Sequence, residues 1–135
     1  MTEAGKIYDQ AVSQFPNASD AYSARARCSI VNAILTKDVF ELESTTILAD
    51  ASKALELNPS NTEAYYVKIT YYLLQERLDD AMETVQKCLN HDPKDAFAYM
   101  YRSIIYKKLK NYNKALRDSN LAVQLNPALA AIAEK

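Results

Sequence analysis

The stretch "DPKDAFAYMYRSIIYKKLKNYNKALRDSNLAVQLNP", Asp92 to Pro127, decides the fold of this chain. Its two prolines, Pro93 and Pro127, stand 34 residues apart. Between them lie two helix-length segments, Ala96–Leu109 and Tyr112–Leu125, joined by Lys110 and Asn111. Apolar residues recur at three- and four-residue steps, Tyr99, Ile105, Tyr106 and Leu109 and then Ala115, Leu116, Ala122 and Leu125. That is the period of an amphipathic helix. Proline ends a helix because it offers no N–H and pushes its predecessor out of helical geometry. Asp95 is a suitable N-cap for the first segment, as Asn61 is one repeat earlier. Small residues at Ala115 and Ala122 allow two antiparallel helices to approach closely.

The same phrase recurs outward from this stretch. The prolines are Pro16, Pro59, Pro93 and Pro127, and Tyr22, Tyr65 and Tyr99 each follow a proline by six residues. Five residues before the prolines stand Ala11, Ala54, Cys88 and Ala122, all small. Tyr65 and Tyr99 are again 34 residues apart. Fixed self-similarity at such a period marks an array of helical repeats.

In these positions the chain resembles the tetratricopeptide repeat. The last full repeat matches it through Tyr99, Tyr106, Ala115, Ala122 and Pro127, and the one before through Tyr65, Tyr72, Ala81, Cys88 and Pro93. The resemblance implies an all-α fold, a right-handed superhelical array of antiparallel helix pairs, with about seven helices and a C-terminal stub. The expected layout is a lone second helix (1–16), an extended repeat (19–59), two regular repeats (62–93 and 96–127) and the start of a capping helix (128–135). Partial units at both ends lead us to expect a fragment of a longer protein, or else units that serve as the caps of the array. The family often has glycine eight residues into the unit and at the inter-helix turn. Here those positions hold Ile69 or Ser103, and Glu76 or Lys110, so the helices should approach differently at Ile69. Tyr22 and Tyr65 are 43 residues apart, and the extra length falls around "NAILTKDVFELESTT", Asn32 to Thr46. Longer helices, an extended turn near Thr36–Asp38, or both would absorb it.

Composition excludes several classes of chemistry. The chain has one glycine, Gly5, so neither a phosphate-binding loop nor a dinucleotide fingerprint can be written in it. A net charge of −1 gives no reason to expect nucleic acid as a partner. No apolar run is long enough to span a membrane, and we expect no membrane insertion and a cytoplasmic location. Charge is unevenly spread, acidic from Asp38 to Glu63 and basic from Ala96 to Pro127. Solvated helix faces account for this, and a docking surface is the alternative. Cys28 and Cys88 are far apart and sit in apolar helical contexts, which fits buried thiols better than a disulfide or metal site. His91 stands alone at a helix end, and Asp79–Asp80 and Glu41/Glu43 look solvated. We therefore expect no enzyme activity, no metal and no cofactor.

What the resemblance does imply is a concave groove lined by the first helix of each repeat. It assigns Tyr66, Val67, Thr70, Phe97, Met100, Tyr101 and Ile104 to an apolar peptide-binding surface, with Arg27, Lys107 and Lys108 to attract acidic flanks. The phrase "AYSARA" (Ala21–Ala26) is close to one found in repeats that clamp the acidic tails of chaperones. The clamp itself is missing. In one phase its positions read Ser23, Arg27, Val67, Phe97 and Tyr101; in the other, Ala24, Glu63 and Val67. Neither set supplies the charge-assisted bonds that a carboxylate tail needs. The expected function is a non-enzymatic adaptor that binds a protein or peptide segment. The alternatives are a co-chaperone module whose chaperone contact lies in another domain, and a structural scaffold or self-association unit. Titration with a peptide of a chaperone's acidic C-terminus should show no binding tighter than millimolar, and micromolar affinity would overturn the clamp reading.

Overall fold

A computed structural model describes residues 3–37 and 46–133. The chain divides into two compact units, Met1–Tyr71 and Tyr72–Lys135. The first contains α1 (Glu3–Gln14), α2 (Ser19–Thr36), α3 (Thr46–Leu57) and most of α4 (Thr62–Leu74). The second contains α5 (Leu78–His91), α6 (Ala96–Lys108), α7 (Tyr112–Leu125), a 3-10 turn at Pro127–Leu129 and the short α8 (Ala130–Ala133). The fold is all-helical among the described residues, as the periodicity requires. In the stretched repeat α2 runs for 18 residues, against 13 for α4 and α6. It ends at Lys37, whose positive φ turns the chain and whose N–H donates to the carbonyl of Ala33. The expected turn continues into Asp38, which lies outside the described residues.

The prolines act through a turn that the chain makes four times. Before each one, the preceding residue's N–H closes the last helical bond onto the small residue four back. Phe15 donates to Ala11, Asn58 to Ala54, Asp92 to Cys88 and Asn126 to Ala122, at 2.8–2.9 Å. The pre-proline carbonyl then accepts the N–H three residues ahead: Phe15 from Ala18, Asn58 from Asn61, Asp92 from Asp95 and Asn126 from Leu129. In three of the turns the pre-proline side chain reinforces this. Oδ1 of Asn58, Asp92 and Asn126 accepts the N–H two residues on, from Ser60, Lys94 and Ala128. Asp92 and Asn126 are accordingly extended, with φ of −139° and −144°, as the residue before proline prefers.

The six-residue step from proline to tyrosine has a direct cause. Tyr22 donates its hydroxyl proton to the Pro16 carbonyl at 2.9 Å, and Tyr99 does the same to Pro93 at 2.7 Å. The ring thus ties the new helix back to the turn that launched it.

Asn61 and Asp95 cap their helices as expected and also bridge to earlier ones. Asn61 accepts from the Ala64 N–H and donates to the hydroxyls of Ser19 and Ser23 on α2. Asp95 accepts from the Ala98 N–H and from the thiol of Cys88 on α5. Burial and the adjacent Asp95 carboxylate push the Cys88 thiol up to about 12, so it remains protonated at ordinary pH.

Both inter-helix turns of the second unit do without glycine. Glu76 and Lys110 take φ of 56° and 63°. Arg77 donates to the Tyr72 carbonyl and Asn111 to that of Tyr106, both at 2.9 Å, while Glu76 and Lys110 donate to Leu73 and Lys107. This is the Schellman pattern, which glycine fills without steric cost. Replacing Glu76 or Lys110 by glycine should therefore stabilise the chain by roughly 0.5–1 kcal/mol each, the left-handed penalty less glycine's greater unfolded-state entropy. A urea denaturation midpoint that stays put or falls would contradict this.

Candidate functional site

The outward face of α6 is set by what its other side does. Arg102 forms a fork with buried Asp118 of α7, Nε to Oδ2 at 2.7 Å and Nη2 to Oδ1 at 2.9 Å. The guanidinium also lies over the Tyr99 ring, 5.3 Å from its centre. One residue on, the Ser103 hydroxyl donates to the Ala115 carbonyl at 2.8 Å. Pairing 102 with 118 and 103 with 115 fixes the two helices as antiparallel. Ser103 is fully buried where the repeat often carries glycine, and its hydroxyl is matched to a carbonyl rather than stranded. Ile69, at the same place in α4, is also fully buried.

The first unit repeats this staple. Arg25 pairs with Asp50 through Nε and Nη2, at 2.8 and 2.7 Å, and reaches Asp9 at 3.3 Å. Its guanidinium lies 6.0 Å from the Tyr22 ring centre. Hydrogen bonds to their aspartates raise both arginines above the ordinary arginine value, which keeps the charge fixed. Sequence reading missed the staple, although its signal is regular: a base three residues after the tyrosine and an acid nine before the proline. The middle repeat has Lys68 and Thr84 at those positions. Asp50, which helped to make the central segment look like an acidic surface, is 5% exposed and belongs to the interior.

With that side of α6 occupied, Phe97, Tyr101, Ile104 and Lys108 follow at helical spacing along another. Phe97 is 46% exposed, Tyr101 and Ile104 are half-buried, and Lys107 and Lys108 are exposed. Met100 is buried in a cluster with Ala96, Ala122 and Leu129, flanked by Tyr99 and Val123.

The remaining assigned residues lie in the first unit. Val67 is buried and Tyr66 half-buried on α4. The Thr70 hydroxyl donates to the Tyr66 carbonyl at 2.8 Å. Arg27 on α2 is exposed but already paired with an acid. Its Nη1 meets Glu63 Oε1 at 2.6 Å, and the other oxygen of Glu63 accepts from Ser23. The structure thus groups Phe97, Met100, Tyr101, Ile104, Lys107 and Lys108 in one unit, and Arg27, Tyr66, Val67 and Thr70 in the other.

No protein-family model matches the chain. Among curated proteins, Hsp70-Hsp90 organizing protein 3 of Arabidopsis thaliana is 39% identical over 93 residues, 69% of this chain and 15% of that protein. Sperm-associated antigen 1 of Mus musculus is 32% identical over 110 residues, 81% of this chain and 11% of that protein. The chain therefore spans only a small part of these relatives. Among solved structures, TTC0263, a thermophilic TPR protein of Thermus thermophilus, superposes with a TM-score of 0.80 at 16% identity, covering 92% of this chain and 64% of the other. YrrB, a TPR protein described as having an unusual peptide-binding site, gives 0.57 at 21% identity, covering 96% and 79%. At these identities the structural likenesses speak for the fold.

The staple is the feature of this site most open to measurement. Asp118→Asn keeps the shape but leaves Arg102 without its counter-charge, and should cost about 2–3 kcal/mol. Glu83→Gln breaks the exposed pair with Lys87 and should cost less than about 0.5 kcal/mol. Equal shifts in urea denaturation would contradict the assignment of Arg102–Asp118 as a structural link.

Proposed function

This chain belongs to the tetratricopeptide-repeat family, and we propose that it is a non-catalytic adaptor module that binds a protein or peptide segment through apolar anchors. The observation that carries the proposal is the division of α6. One side is committed to α7 through Arg102 and Ser103, while Phe97, Tyr101 and Ile104 lie along a side away from those links. Burying such side chains against a ligand is worth roughly 1.5–3 kcal/mol each, before binding costs.

In this reading Tyr66 and Thr70 are contact residues of the first unit, on α4, with Val67 buried near them in sequence, and Met100 lies buried on α6 of the second. Lys107 and Lys108 attract acidic flanks of the ligand, whereas Arg27 must first release Glu63. The partner is protein; nucleic acid and membrane insertion have no part, and the setting is cytoplasmic.

A second reading, a co-chaperone module, is favoured by the likeness to Hsp70-Hsp90 organizing proteins. Here the chaperone contact would come from another domain, because the clamp positions hold Ser23, Arg27, Val67, Phe97 and Tyr101.

Peptides selected on the intact chain from a random displayed library test the first reading. Tyr66→Ala and Tyr101→Ala should each weaken the selected peptides by about tenfold or more, with the helical circular-dichroism signal retained. Unchanged affinity in folded variants would remove the groove from consideration.

A further inference from the structure

The α4–α5 and α6–α7 turns share one backbone and carry opposite charge. Their left-handed residues, Glu76 and Lys110, have nearly the same φ, and their closing hydrogen bonds match in partner and length. Residue by residue, 34 apart, Glu76 becomes Lys110, Asp79 becomes Asn113, Asp80 becomes Lys114 and Glu83 becomes Arg117, while the partners of the last two acids, Arg77 and Lys87, become Asn111 and Leu121. The fold therefore does not call for cations at the second turn.

The cations are also poorly served within the molecule. Lys110 and Arg117 are exposed and make no ion pair with any described residue. Lys114 rests over the Tyr106 ring at 5.6 Å. It sits in the first turn of α7, where the helix end is already positive and a cation is disfavoured. The matching turn of α5 has Asp79 and Asp80, as that dipole prefers. Leu109, Tyr112 and Leu116 are 50%, 65% and 61% exposed, with Tyr112 and Leu116 one helical turn apart, and Arg117 and Lys114 follow further round the exposed side of the same helix.

We propose that the α6–α7 turn is a second docking surface, made by Lys110, Lys114, Arg117, Leu109, Tyr112 and Leu116, for an acidic protein segment that carries an apolar anchor. The occupant follows from the two chemistries present. Polyphosphate or nucleic acid would satisfy the cations and leave the aliphatic side chains wet. An anionic bilayer would use both, but the same unit also carries Glu76 and Asp79, acids uncompensated among the described residues, which repel an anionic surface. An acidic segment with one large apolar side chain uses the cations as a rim, where they govern attraction and specificity, and buries Tyr112 and Leu116. This surface does not rest on the α6 face proposed above.

The test uses the intact chain and a short fluorescent peptide of glutamates flanking a single phenylalanine. Fluorescence anisotropy should report saturable binding that weakens with salt. The combined change Lys110→Glu, Lys114→Glu and Arg117→Glu should weaken it by about tenfold or more, and Lys110→Ala with Arg117→Ala supplies a milder variant should the reversal disturb folding. Tyr112→Ala with Leu116→Ala should weaken it comparably. Because such a peptide also suits the α6 face, the turn variants are compared in the Phe97→Ala, Tyr101→Ala background, where the loss of binding on changing the turn residues should persist, which separates the two surfaces. The proposal is overturned if the charge variants bind as well as the parent. It is equally overturned if an all-glutamate peptide binds as tightly, or if phosphatidylserine vesicles or an oligonucleotide compete as the better ligand.

Discussion

The hydrogen bond from the residue before each proline to the carbonyl of a small residue four positions back is the constraint on which the rest depends. It is the last helical bond the chain can make before an imino acid that has no N–H. Because Phe15, Asn58, Asp92 and Asn126 all make it, each helix ends in the same place relative to its small residue. The following carbonyl-to-amide closure then sets where the next helix begins. Ala54, Cys88 and Ala122 are wholly buried at this point, so side-chain bulk there would push the next segment away. Direction is thus set by local backbone chemistry, before any packing between faces is considered.

The arginine–aspartate staple works on a different level. The turns give direction; Arg25–Asp50 and Arg102–Asp118 bind the two helices of a pair side by side. Each arginine spans three elements of the repeat: the tyrosine ring that marks the start of the first helix, its own helix, and an aspartate on the second. A buried carboxylate is costly unless paired, so Asp118 makes correct pairing of α6 with α7 a condition of burying it at all. The middle repeat, with Lys68 and Thr84, keeps the proline turn and the inter-helix turn without this pair. Turn chemistry and staple are therefore separable.

This separation explains what the sequence discloses and what it hides. Proline, tyrosine and cap residues act within a few positions of themselves, so Pro93, Tyr99 and Asp95 could be read with their roles. Arg102 and Asp118 are 16 residues apart and each looks like an ordinary surface charge; only pairing across the hairpin reveals them. Val67 and Met100 show the same limit from the apolar side. Periodicity places them on a first-helix face, but whether that position is open depends on distant cover. For Met100 the cover includes Leu129, which arrives only after Pro127 turns the chain. Arg27 was legible as a cation and illegible as a partner of Glu63, because the two lie on different helices.

Where a repeat repeats, physics of folding suffices as an explanation; where it departs without cost to the backbone, another cause is required. Glu76 and Lys110 occupy one conformation with the same bonds, so the turn itself does not dictate their charge. The same reasoning sorts the faces of α6. Ser103 and Arg102 are tied to specific atoms of α7 and can change only together with them. Phe97 and Lys108 lie outside that pair of links, so the hairpin staple does not dictate their identity. Function in this chain is accordingly sought at positions the period leaves unconstrained, and the value of the period is that it marks them.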